Sequence, residues 1–547
     1  MTASSLTPDL ALHNGHIRTM DPARPSASAI AIKDARVVAV GDDPEVLPLA
    51  GSATRVVDLG GVTIVPGIVN AHNHLLATGR ALRQVQLYGC RSIPEIQALV
   101  AEQAATVPPG TWIVGRGWDE SLLAEGRHPT RHDLDAVAPN HPVLLHRVWN
   151  KLSCNSLALT VAGVSAETSD PPVGVLYAGS FERDAAGAPT GLYRDRAKEM
   201  ILAAVPVPTE DELVEAIAAA SAAYHAFGIT AVAEPGLSPA EVRAFCRARR
   251  EGRLSVRTDM LLAGWGFNPP EAETDLKERF SALGLEGGLG DDLLRLEGIK
   301  LMPDGGISDR TARMFEPYLD DPGNRGTWTV PPDELVRLIR WTHDLGWPMD
   351  IHTCGDEAQE TTVRAFAAAQ EANPTPWLRH RVHHAYFPTP ESLRLMAAHA
   401  IPAVVSSPFL ANLGEGFVNS LGAERAAGAM PMRTYLAAGV AIAGSSDSPI
   451  TDFNPWVGMA AAVRRRTVTG RVLGAEEALT AEEALRSYTL AGAAVSGREG
   501  RLGSLAPSKL ADLVVLDRDP LAIDPDELAE VRPVATMVGG AWVFGGV

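Results

Sequence analysis

The middle of the chain alternates short apolar segments with longer amphipathic ones. The apolar segments include "GITAVAEPG", "LRLEGIKLMPDGG", "WPMDIHTCGD", "RHRVHHAY", "AIPAVVSS" and "VAIAGSSDSP". Between them lie stretches of helical periodicity, such as "PPDELVRLIRWTHDLG" and "TPESLRLMAAHA". Strands and helices that alternate at this length build a parallel sheet, and the number of repeats suits a closed barrel. The sequence therefore predicts an α/β protein with a (β/α)8 TIM barrel.

The two ends of the chain read differently from its middle. Segments such as "ASAIAIKDARVVAVG" near the start and "ADLVVLDRDP" near the end are short strands punctuated by Gly, Asp and Pro. We expect residues 1–66 and 490–547 to form one small composite β-sandwich beside a barrel of residues 67–489.

Residues from about 77 to 200 fit the alternation of strands and helices in a barrel less well. They are predicted to be an insertion after the first barrel strand, placed over the barrel mouth.

The composition and net charge of the chain make some classes of binding partner improbable. The chain has 547 residues, 46% of them hydrophobic, and a net charge of -18, which argues against nucleic acid and membrane surfaces and leaves a small-molecule substrate. The first twenty residues lack a secretory pattern and no apolar run is long enough for a membrane span, so a cytoplasmic location is expected. The four cysteines form no CxxC motif. A homodimer is compatible with such a barrel, although no segment identifies an interface.

Histidines stand where several of the predicted strands end. In "VTIVPGIVNAHNHLL", His72 and His74 are spaced so that their side chains lie on the same face, and two convergent imidazoles suit a divalent metal such as zinc. Taken alone, the pair could equally be two hydrogen-bonded histidines in a loop. His352, His384 and Asp447 occupy equivalent places after other apolar segments. Because the carboxyl ends of barrel strands meet at one mouth, a metal site is predicted there.

Lys300 ends the segment "LRLEGIK". A lysine at a strand end is usually solvated, and taken alone that interpretation is preferred. Among metal ligands a second role is available, because a neutral lysine amine reacts with carbon dioxide to give a carbamate whose two oxygens can bridge two cations. An ordinary lysine pKa is about 10.4, so burial beside cations is needed to favour the neutral amine.

Several motifs together resemble the amidohydrolase superfamily of metal-dependent barrel hydrolases. The resemblance is strongest to the YtcJ-like branch, amidohydrolase family 3, to which an N-substituted formamide deformylase belongs. The motifs are "PGIVNAHNH", "GRGWDE", "GIKLMPDGGISDRTA", "IHTCGDEA", "RVHHA", "GSSDSP" and "SLAPSKLADLVVL". The resemblance implies one or two divalent metals with the ligands His72, His74, His352, His384 and Asp447. It also implies Lys300 as a carboxylated bridging ligand and Asp447 as the proton-transfer residue.

The chain departs from the pattern of this branch at three places, one of which is Asp195, where a Glu is more usual. His383 stands where an acidic residue is usual, and as a strand neighbour it is expected to point away from His384. Val148, Trp149 and Asn150 stand where a DGH triplet is expected, so the usual substrate of the branch need not apply. Candidate substrate contacts are Trp118, Trp149, Asn150, Asp304 and Arg310. The tryptophans could instead be core residues of the insertion, and Arg310 a structural ion-pair partner.

These features predict a metal-dependent hydrolase that cleaves a C–N amide bond, of N-acyl or N-formyl type, in a small molecule through metal-activated hydroxide. One alternative is a hydrolytic deaminase of a heterocyclic amine on the same fold, which commonly uses one metal and no bridging lysine. A second alternative is a barrel that has lost activity and serves in binding or regulation.

Overall fold

The computed structural model describes residues 7–120, 122–147, 151–171, 179–266 and 276–547. Two compact units are present: Met1–Leu75 together with Ile217–Val547, and Leu76–Ala216. Trp149 and Asn150 lie outside the described residues. Among the described residues, no helix combines the length and apolar character needed to cross a bilayer.

Eight parallel strands form the central sheet of the first unit. They are β1 (Ile68–Asn70), β2 (Ile229–Leu237), β3 (Arg257–Ala263), β4 (Leu294–Leu301), β5 (Met349–Thr353), β6 (Arg381–His384), β7 (Ala403–Val405) and β8 (Ile442–Gly444). Each pairs with the next in chain order, and the Ala71 amide at the end of β1 donates to the Gly444 carbonyl at the end of β8. This nearly closed eight-stranded sheet confirms the predicted barrel class.

Most barrel-strand residues are buried, as expected for parallel strands that are covered on both faces. The helices that accompany them in this unit include Pro239–Arg250, Leu276–Leu283, Pro332–Asp344, Asp356–Ala372, Pro390–Ala398, Pro408–Leu421, Ala423–Ala427, Met432–Ala437, Pro455–Arg464, Ala481–Ser487 and Leu490–Val495. The helix Glu210–His225 leads into β2. The short strand Leu289–Gly290 pairs antiparallel with β4.

Two further sheets are built from the chain ends. The first has the order Arg36–Gly41, Ala29–Lys33, Leu10–His13, Arg55–Asp58. The second has the order Ala541–Gly545, Pro533–Val538, Leu513–Leu516, Thr63–Pro66, His16–Arg18, Ser26–Ala27. Residues of both sheets share one hydrophobic core, in which Leu12 packs with Leu513 and Met537. The second sheet joins three C-terminal strands to three N-terminal strands through the pair Leu513–Leu516 and Thr63–Pro66, so both chain ends build this sandwich, as the sequence predicted.

The second unit contains a mixed sheet of six strands, in the order Ser180–Arg183, Pro189–Arg194, Lys151–Cys154, Val143–His146, Ile113–Arg116, Val85–Gln86. Its helices include Ile93–Thr106, Arg131–Asp135, Ser156–Val161 and Glu199–Leu202. The residues on the two faces of the sheet form two apolar clusters, one around Leu145 and one around Leu144. Because neighbouring residues of a strand point to opposite faces, these two leucines serve different cores.

Candidate metal centre at the carboxyl ends of the barrel strands

The loops after β1 and β8 bring the first group of predicted ligands together. His72 and His74 follow the last residues of β1, and their rings lie 5.5 Å apart at nearly a right angle. Asp447 follows β8, and its Oδ1 lies 3.6 Å from Nε2 of His72 and 3.3 Å from Nε2 of His74. One donor atom from each of the three residues lies within 4.8 Å of the other two, a spacing at which one cation can bind all three.

β5 and β6 supply the second group. Nδ1 of His352 and Nε2 of His384 face each other at 3.0 Å. The other nitrogen of each ring has its own partner: Nε2 of His352 lies 3.0 Å from the carbonyl oxygen of Gly305, and Nδ1 of His384 lies 3.4 Å from the hydroxyl of Tyr386. Partners of this kind fix the orientation of metal-binding histidines. The two facing nitrogens are thus turned toward a common point.

Lys300 is the last residue but one of β4 and is buried. Its Nζ donates to Oδ1 of Asp350 at 2.9 Å and lies 3.3 Å from Nδ1 of His383. Burial lowers the pKa of Lys300, and the carboxylate of Asp350 opposes that shift. The lysine is therefore buried, as a carbamate requires, but its amine is held by an ion pair in this structure.

Asp350 connects the predicted ligand His72 to other buried charged groups of the barrel. Its Oδ2 lies 3.1 Å from Nδ1 of His72 and 3.1 Å from Nε of Arg381, which in turn pairs with Glu297 at 2.7 Å. Burial favours the neutral acid, but the charge of Lys300, the hydrogen bond with His72 and the charge of Arg381 hold the pKa of Asp350 well below its usual range. The carboxylate fixes His72 with Nε2 directed at the first group.

The orientation of His383 was predicted wrongly. The rings of His383 and His384 lie 3.7 Å apart, and the His383 ring stacks on that of His72 at 3.3 Å. Residues next to each other on a regular strand point to opposite faces, but His384 has a left-handed backbone conformation with φ of 69°. The strand turns at this residue, so both imidazoles face the site.

The donors other than His74 have the protonation states that a divalent cation requires. Burial disfavours the charged form of His74, but the carboxylate of Asp447 outweighs burial and raises the pKa of this ring. Burial, aided by the charge of Lys300, lowers the pKa of His72 to about 4 and that of His352 to about 4. These rings are therefore neutral near pH 7, and neutral imidazole is the form that binds metal. Burial favours protonated Asp447, but His74 and His72 lower its pKa and keep it ionised. The donor set of imidazole and carboxylate groups fits a divalent metal such as zinc.

Two of the predicted substrate residues, Asp304 and Arg310, lie in the first unit, in different surroundings. Asp304 is fully buried beside the second group, 3.5 Å from Nε2 of His352, and accepts the backbone N–H groups of Arg313 and Gly355 at 3.0 and 2.8 Å. Burial raises its pKa to about 7. Arg310 is half-buried, with one guanidinium nitrogen 3.4 Å from the carbonyl oxygen of Asn419.

Trp118 lies in the second unit. Its side chain is 1% exposed and belongs to the apolar cluster around Leu145. That environment is the core role that the sequence left open for this residue.

Three residues near the predicted ligands were not selected from the sequence as site residues. Asp350 and Cys354 stand two positions before and after His352, so the period of two along β5 was a usable signal. Cys354 is buried and forms a donor group with His352 and His384. His383 gave no such signal, because its orientation depends on the backbone conformation at His384.

The chain is similar in sequence and structure to known hydrolases. A family model described as "Amidohydrolase family" matches residues 55–544. The chain belongs to the amidohydrolase family. This amidohydrolase is 30% identical over 550 residues to the N-substituted formamide deformylase of Arthrobacter pascens, with 97% of each chain covered. Family membership makes it a hydrolase and supports action on C–N bonds.

Two other relatives show the range of the family. Protein LONG AFTER FAR-RED 3 of Arabidopsis thaliana is 30% identical to the amidohydrolase over 565 residues, covering 99% of this chain and 94% of the plant protein. The crystal structure of an uncharacterized metal-dependent hydrolase from Pyrococcus furiosus matches with a TM-score of 0.74 and 29% identity. That match covers 94% of this chain and 99% of the Pyrococcus protein.

Proposed function

We propose that this amidohydrolase is a metal-dependent enzyme that hydrolyses the C–N bond of a small N-acyl or N-formyl amide. The observation that carries the proposal is the convergence of four imidazoles and an ionised carboxylate at the ends of β1, β5, β6 and β8, with the rings of His72 and His352 neutral. The similarity to a formamide deformylase over nearly the whole chain supports the same bond type.

The residues proposed to hold metal form two adjoining groups. His72, His74 and Asp447 make up the first, and His352 and His384 contribute to the second. Zinc is the cation best suited to these donors. Lys300, buried beside both groups, would contribute two oxygens if its amine were carboxylated, and it would then serve a second cation.

A bound divalent cation supplies Lewis acidity, which makes water nucleophilic at neutral pH and polarises the amide carbonyl. Asp447 is proposed to accept the proton of the attacking water at a carboxylate oxygen and to deliver it to the leaving nitrogen. The products are then a carboxylic acid and an amine. The ionised state of Asp447 and its contact with His74 at 3.3 Å suit the uptake of a proton from the attacking water. General acid–base help of this type contributes about 10² to 10⁴-fold in rate.

The first test is elemental analysis of the purified protein combined with a panel of N-formyl and N-acyl amines. We expect stoichiometric zinc and release of formate or another carboxylate, with activity lost after chelation and restored by zinc. Asp447→Asn is the matched variant, expected to keep metal and lose turnover. A correctly folded protein that binds no metal and cleaves no amide would contradict the proposal and favour a binding or regulatory role.

A second candidate is a deaminase of a heterocyclic amine that uses a single cation. The observation that favours it is the ion pair between Lys300 and Asp350, which engages the amine that a carbamate would need. One metal per chain, an unmodified Lys300 and ammonia release from heterocyclic amines would support this candidate. Two metals and a carboxylated lysine would exclude it.

A further inference from the structure

We propose that Cys354 is a metal ligand of this amidohydrolase and that it completes a cation site of two imidazoles and one thiolate with His352 and His384. The inference rests on the proposed metal-dependent function and extends it to the donor set and the metal preference of the second group. The resemblance to the family did not assign Cys354 any role.

The spacing of the chain brings the thiol to the two histidines. Cys354 lies two residues after His352, at the point where β5 ends, so both side chains leave the strand on the same face. The pattern His-Thr-Cys therefore repeats on β5 the spacing that His-Asn-His has after β1. The donor atoms of His352, Cys354 and His384 all lie within 4.8 Å of one another.

The surroundings of the thiol hold this arrangement in place. Cys354 is 3% exposed, and its backbone N–H donates to Oδ1 of Asp304 at 3.2 Å. The Tyr386 hydroxyl lies 3.4 Å from Nδ1 of His384 and so holds the ring of a second donor residue. Because Nε2 of His352 is held by the Gly305 carbonyl, its Nδ1 is left to face the site.

Metal binding at this group requires the thiol to lose its proton. The Cys354 S–H bond breaks as the sulfur–metal bond forms, and the proton passes to solvent, as in other thiolate sites. Thiolate is a soft ligand that selects zinc or cobalt over magnesium and manganese. The second group would therefore prefer zinc more strongly than the first, whose donors are imidazole and carboxylate.

Cobalt(II) loading provides a direct test, since cobalt bound by thiolate gives a strong near-ultraviolet charge-transfer band and cobalt bound by nitrogen and oxygen alone does not. The metal-free protein is titrated with cobalt(II) until the spectrum no longer changes. We expect the band in the wild-type protein and its loss in Cys354→Ser, which keeps a hydroxyl near Tyr386. Cys246→Ser, on the helix Pro239–Arg250, is the matched control and should keep the band.

The outcomes separate this inference from the proposed function. A cobalt-saturated wild-type protein with visible d–d bands but no charge-transfer band would overturn the role of Cys354 and leave the metal centre intact. A protein that binds no cobalt would contradict the proposed function itself. The wild-type spectrum decides the question even if Cys354→Ser does not fold, and Cys354→Ala provides a second variant, also expected to lack the band.

Discussion

Replacing Asp350 by asparagine should weaken metal binding and destabilise the barrel together. The carboxylate contacts Lys300 at 2.9 Å and both His72 and Arg381 at 3.1 Å, and all four side chains are buried. An asparagine of the same size fills the space but carries no charge. In Asp350→Asn, His72 therefore loses the carboxylate that orients it, buried Lys300 loses its anionic partner, and Arg381 loses one of its two carboxylate contacts.

The expected magnitudes follow from these contacts. Loss of a carboxylate that orients a metal-binding histidine typically costs about 10 to 100-fold in metal affinity. That change corresponds to about 1.4–2.8 kcal/mol. Breaking a buried ion pair costs about 3–5 kcal/mol of stability. Arg381 keeps its contact with Glu297 at 2.7 Å, so the lower end of that range is expected.

Two measurements check the prediction. Zinc affinity is obtained by competition with a chromophoric chelator, and the unfolding midpoint of the metal-free protein is obtained in urea. Asp356→Asn is the control, because the Asp356 carboxylate accepts backbone N–H groups of Phe315 and Glu357 at 2.8 Å and has no histidine partner among its hydrogen bonds. A folded Asp350→Asn protein with wild-type zinc affinity would refute the idea that Asp350 orients His72.

Three further predictions concern the proton-transfer residue, the lysine and the response to acid. Asp447→Asn should retain metal by elemental analysis while kcat falls about 10² to 10⁴-fold, and full turnover would remove Asp447 from the mechanism. Lys300→Ala should lose at least one metal, with partial rescue of metal content by a short carboxylic acid; unchanged metal content would contradict a carbamate role. Burial lowers the pKa of His225 to about 4. The unfolded chain therefore takes up a proton below about pH 6.5, whereas the folded protein takes it up only below about pH 4. Stability is therefore lost as the pH is lowered from about 6.5 to about 4. His225→Gln should flatten this loss in urea unfolding at a series of pH values, and an unchanged slope would show that other groups cause it.

Part of the candidate centre could be predicted from the sequence, for a physical reason. Periodicity reports which residues are buried, and alternation of strand and helix fixes a parallel sheet. The carboxyl ends of the strands in such a barrel lie on one side, so residues as far apart as His72 and Asp447 were expected to meet. Their Nε2 and Oδ1 atoms lie 3.6 Å apart.

Other features depended on contacts between strands and on single backbone angles. Asp350 became the partner of Lys300 and Arg381 because the register places these residues side by side on β4, β5 and β6. No local pattern encodes that register. His383 joined the site because of the left-handed conformation at His384, and Cys354 because β5 and β6 bring two histidines to it.

The sequence by itself determined the fold and the side chains available at the strand ends, since these follow from local periodicity. Only the tertiary structure decided which of those side chains are partners, because partnership depends on distances between strands far apart in the chain.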